Sequence, residues 1–216
     1  MRLLIFIIFL NLTSCNVHKD YAEEKIKKND YIYHSGMEKL VDKIIPNEKY
    51  KYWEYVWSMP HPQGKEDFDK IKLKKGKISS RKKYQIKNPT PYQGLFKQCM
   101  PGTCYYYIAY LENNKINYIT TNEGLKTFIG KINNIEEALL VLALDDIHFN
   151  FDNSETLTYK MTPNGYELNM EKTIGKCPYD KTYKIEFLKI KIDFKANYTS
   201  KLLKTTYHVC DDIGHP

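Results

Sequence analysis

Two carboxylates and an imidazole fall within four residues, at Asp145, Asp146 and His148. Adjacent aspartates can hold a cation or orient a histidine, and a histidine can pass a proton near neutral pH. The chemistry such a set would support is hydrolysis or metal-dependent catalysis. The competing reading is a solubilising loop where a helix gives way to a strand, and aspartate pairs are ordinary there. We favour that reading. His208, Asp211, Asp212 and His215 form a second mixed set at the C-terminus, too near the chain end to make a good metal site. The chain has no glycine-rich phosphate loop, no Gly-x-Ser-x-Gly and no His-Glu-x-x-His. No catalytic residue, metal ligand or cofactor is assigned from the sequence, which leans toward a non-catalytic protein.

The other chemistry is charge. Residues 65–83 carry nine Lys or Arg against three acids. Within them Lys70, Lys72 and Lys74 alternate with Ile71 and Leu73, followed by Lys75, Gly76 and Lys77. That spacing predicts a half-buried strand with a lysine-covered outer face. Lysines on an edge strand block edge-to-edge pairing, and this is the plainer reading. The functional one is an anionic partner held by Lys70, Lys72, Lys74, Lys75 and Lys77.

The N-terminus reads as an address. Arg2 precedes an unbroken apolar run from Leu3 to Leu10, too short to span a bilayer as a helix and suited to a secretory signal. Leu12-Thr13-Ser14-Cys15 then resembles the bacterial lipoprotein box. The resemblance implies cleavage before Cys15, a diacylglycerol on its thiol and an acylated new amine, palmitate being a usual chain. Several acyl chains anchor a protein stably where one does not. The implied location is the bacterial cell envelope, on the outer membrane, facing the periplasm or the surface. Partners there are the membrane itself and anionic envelope lipid or glycan. Nucleic acid is not expected in that compartment.

Four cysteines remain: Cys99, Cys104, Cys177 and Cys210. An even number in an exported chain implies disulfides, with three possible connectivities. Cys99 and Cys104 flank Met100-Pro101-Gly102-Thr103, and Pro-Gly at the centre of a tetrapeptide favours a type II turn. The two thiols would face each other across that hairpin, leaving Cys177 to pair with Cys210. A redox pair or a zinc site fits the spacing less well.

Stepping from these residues to what positions them, 216 residues with 42% hydrophobic and 27% charged side chains describe one globular unit. Residues 1–14 are the signal peptide, 15–34 a polar tether and 35–216 a single domain. Ser35-x-x-Glu38 opens a helix whose Met37, Leu40, Val41, Ile44 and Ile45 share one stripe. Thr120-x-x-Glu123 and Asn134-x-x-Glu137 open two more, the first closed by Gly130, the second apolar nearly all round. Aromatic or alternating strands fill the rest, including 50–57, 104–111, 116–119, 156–161, 166–170, 183–194 and 202–210. The pattern is α+β: a mainly antiparallel sheet with about three short helices in one compact domain. The stretch from Cys99 to Phe151 resembles uncharacterised lipoproteins of flavobacterial type, which implies no known activity.

Overall fold

The computed structural model describes residues 24–25, 36–59, 68–78, 93–96, 104–145, 147, 158–175 and 182–210. Asp146, His148, Cys15, Cys99, Cys177 and residues 211–216 lie outside them. Among the described residues the chain runs β1 (Glu24–Lys25), α1 (Gly36–Asp42), β2 (Tyr52–Met59), β3 (Phe68–Gly76), β4 (Tyr105–Glu112) and β5 (Lys115–Ile119). It continues through α2 (Asn122–Ile129), α3 (Ile135–Leu144), β6 (Thr158–Thr162), β7 (Gly165–Ile174), β8 (Thr182–Asp193) and β9 (Tyr198–Val209). The strands form two sheets, ordered β1-β6-β7-β8-β9 and β3-β2-β4-β5, and every pairing is antiparallel. The described residues are mainly β, with three short helices.

Period-two patterning decides which face of each sheet turns inward. Tyr166, Leu168 and Met170 of β7 oppose Ile192, Ile190 and Leu188 of β8, and all six are buried. In the smaller sheet Trp53 and Tyr55 of β2 and Tyr106 and Ile108 of β4 face the same hydrophobic cluster. Helix α3 completes it, with every residue from Glu137 to Leu144 buried. That one cluster takes residues from both sheets and all three helices.

Strands β2 and β4 are buried on both faces. A second cluster of Val56, Tyr105, Tyr107 and Ala109 lies on the side away from the main core. The aromatic run at 52–57 and 105–110 therefore marks central strands, which have no solvent face to keep polar.

Three differences from the sequence reading have physical causes. The expected tether reaches the fold early, because Glu24 and Lys25 pair with Tyr159 and Thr158 of β6. The Tyr159 phenol donates to Glu24 Oε2 at 2.5 Å and helps hold that short strand. The cap of α2 is Thr121, one residue later than expected, its hydroxyl accepting from Gly124 N at 3.1 Å. Ile45 lies past the end of α1 and is 56% exposed, off the buried stripe formed by its four partners.

Candidate functional site

The lysine strand is β3, an edge strand, but its lysines do not share one outer face. Tyr55 opposes Leu73 and Val56 opposes Ile71, so Lys72 is an extra residue without a cross-strand partner. A bulge of this kind breaks the alternation and turns side chains at and beyond it. Ile71 consequently stands 37% exposed, while Leu73 packs on the core. Lys72 pairs with Glu38 at 3.0 Å and Lys75 pairs with Asp42, both acids on α1. The expected five-lysine patch is thus divided. Lys70, Lys74 and Lys77 are exposed, and two lysines are partly neutralised by the helix beside them.

Of the acid–base set, Asp145 caps the C-terminal end of α3. Its carboxylate lies 3.7 Å from Lys126 Nζ and accepts from the Tyr198 hydroxyl. Each contact ties the end of α3 to a neighbouring element, which is a structural use. Asp146 and His148 fall outside the described residues. From the C-terminal set, the His208 ring stacks on Tyr183 at 5.0 Å. No group of three potential metal ligands occurs among the described residues. Cys104 and Cys210 are in disulfide form, and Cys99 and Cys177, their expected partners, lie outside the described residues.

Sequence reasoning missed the buried carboxylates. Glu54, Glu137 and Glu171 have no solvent exposure. Glu54 accepts from the Tyr52 hydroxyl. On the same side of the sheet Tyr107 donates to Asp69 Oδ2 at 3.0 Å. Burial, and then the Asp69 carboxylate, push the Tyr107 phenol far above its ordinary value. A phenol so held stays protonated and is neither base nor nucleophile, so this pair braces the sheet. Glu137 accepts from Ile45 N at 2.7 Å and Asn133 N at 2.6 Å, and its own N–H donates to Asn134 Oδ1 at 2.9 Å. It joins the start of α3 to the end of α1. Burial raises its pKa, partly offset by those backbone donors. Alternation inside 52–58 and the capping box were the only signals for these groups, and neither distinguishes a buried acid from an exposed one.

The larger sheet carries a second charged surface on the face away from the core. Thr158, Asn169, Lys189 and Lys201 stand in one cross-strand row, and Lys160, Glu167, Lys191 and Thr199 in the next. Three ammonium groups surround Glu167, from Lys191 at 2.9 Å, Lys189 at 3.2 Å and Lys160 at 3.8 Å. Hydrogen bonds from Lys191 foremost, with Lys189, hold the Glu167 carboxyl below its usual range. At the turn end of this sheet a shallow cleft of about 430 Å³ is lined by Thr162, Asn164, Glu167, Lys191, Asp193 and Asn197, among others. The Asp193 carboxylate is turned into its own hairpin, accepting from Lys195 N, Asn197 N and Asn197 Nδ2.

Comparison of the chain with protein-family models, with curated proteins and with solved structures found no match to any of them. Among the described residues no helix is long and apolar enough to cross a membrane.

Proposed function

We propose that this chain is a lipid-anchored accessory protein of the bacterial envelope, held by an acylated Cys15, that binds anionic material without chemistry of its own. In this reading residues 35–216 are one domain on an outer-membrane anchor. Cys99 bonds to Cys104 and Cys177 to Cys210. The observation that carries the binding role is the exposure of Lys70, Lys74 and Lys77 on an edge strand whose other two lysines already have acidic partners. Unpaired ammonium groups on an open edge attract phosphate or carboxylate, whether on a lipid headgroup or an acidic glycan.

The test measures binding of the full chain to anionic vesicles and to an acidic polysaccharide over a series of salt concentrations. Affinity should fall steeply as salt rises, because each contact releases counterions. Substituting K70Q, K74Q and K77Q together should weaken it by on the order of a hundredfold, at about 1 kcal/mol per lysine near an anionic surface. Binding that ignored salt, or survived the triple substitution in a normally folded protein, would defeat the proposal.

A further inference from the structure

The geometry points to the outer face of the larger sheet as the surface that lies on the membrane. We infer that Lys160, Lys189, Lys191 and Lys201 dock on anionic lipid headgroups, with Leu203 of β9 entering the interface beside them. The orientation rests on the anchored reading above, while the contact face is a separate matter.

Three observations carry it. The first is charge placed against stability. Lys189 and Lys201 oppose each other directly, and like charges in that position destabilise a sheet. Lys201 has no acidic partner among the described residues, and Glu167 is the single acid in the two central rows. The flanking rows do not cancel this. Glu171, Phe187 and Lys204 bring one charge of each sign, and Asp193 is spent on its own turn. The side chains of Lys160, Lys189 and Lys191 are 44, 42 and 64% exposed, so their charge is available.

The second observation is apolar. The register shift in β9 leaves Leu203 as an extra residue between Leu202 and Lys204. Leu203 is 54% exposed and adjoins Lys204, whose ammonium lies over the Phe187 ring, while Leu202 opposes the core residue Leu188 and belongs to the other face. An exposed aliphatic side chain bordered by lysine suits an interfacial contact, the leucine entering the acyl boundary and the ammonium groups staying at headgroup level.

The third is reach. The chain joins this sheet at Glu24. Glu24 lies nine Cα steps from Cys15, at most about 30 Å when extended. An anchor there holds this sheet, through its β1 edge, close to the bilayer.

The test uses the native protein on vesicles. Amine acetylation is read lysine by lysine by mass spectrometry, on anionic and on zwitterionic vesicles. Labelling of Lys189, Lys191 and Lys201 should slow at least fivefold on the anionic vesicles and recover in high salt, whether or not Lys70, Lys74 and Lys77 slow with them. Equal labelling on both vesicles overturns the inference, as does protection confined to the β3 lysines. Protection by a soluble acidic polysaccharide on zwitterionic vesicles would make the face a glycan site and overturn it equally. Failure of the anchor looks different: the protein would wash off every vesicle in high salt. In that event partition of the unacylated chain at low salt decides. K189Q, K191Q and K201Q together should lower it by about a hundredfold and K201Q with L203S by more than fivefold, while unchanged partition refutes the docking face.

Discussion

At the scale of single residues, burial sets the value of each polar group. The Tyr55 hydroxyl has no hydrogen-bond partner among the described residues, although its ring stacks on Tyr106 at 4.9 Å. An unsatisfied buried hydroxyl costs more than it returns. Tyr55→Phe should therefore raise stability by up to about 1–2 kcal/mol in urea unfolding, the stack being kept. Glu137 behaves in the opposite way, because both of its oxygens accept backbone donors. Glu137→Gln points an amide NH₂ at one of those N–H groups and should cost about 1–3 kcal/mol. Its pH dependence has a definite sign. A carboxyl whose folded pKa is raised favours the folded state most below its unfolded value, and that advantage is lost as pH rises through the folded value. The penalty of Glu137→Gln should accordingly be larger near pH 4 than at pH 7. Asp193 titrates the other way. Its side-chain and backbone partners at Asn197 and Lys195 lower its pKa, so its contribution is complete above the unfolded value and fades as pH falls through the folded one. Protection factors for amide exchange at Lys195 and Asn197 should fall in acid before those of the core do.

At the scale of elements, the helices were the most legible part of the sequence. Asn134 and Gly130 cap where their types predict, and α3 is buried all round as its composition requires. Strands were legible in place but not in orientation. A bulge is one residue of register, and no local residue type announces the one at Lys72 or the one at Leu203. That is why a lysine strand read as a single outer face became two sides, and why the lysines of β8 and β9 went unnoticed until pairing set them in rows. The division of β3 predicts an effect opposite to ordinary charge removal. Glu38→Gln with Asp42→Asn frees Lys72 and Lys75, so polyanion affinity should rise several-fold and its salt slope steepen. Stability should change by less than about 1 kcal/mol, since exposed pairs contribute little. The β6–β7 hairpin depends on one conformational freedom. Gly165 has φ +146°, and a Cβ there would stand 2.0 Å from the Ile192 carbonyl oxygen. Gly165→Ala should destabilise the protein by more than about 2 kcal/mol, seen as a lowered Tm, because backbone of the neighbouring strand must yield.

At the scale of the whole molecule, compartment and binding were legible only as types of residue. The proposed anchor at Cys15 is checked by intact-mass measurement of the native protein, which should show residues 15–216 carrying acyl chains, with four further cysteines unreactive until reduced. The two sheets are joined through one core, yet no short motif foretold that β1, β6, β7, β8 and β9 would form a sheet of their own. Their pairing is non-local, and sequence pattern is silent on which strands meet. The two-residue strand β1 has a mechanical consequence. Among the described residues, a pull arriving along the N-terminal chain first loads the pairs Glu24–Tyr159 and Lys25–Thr158. Among the described contacts those pairs would unzip first. β1 is therefore a fuse: two pairs part under load while the ten that join β7 to β8 stay shut.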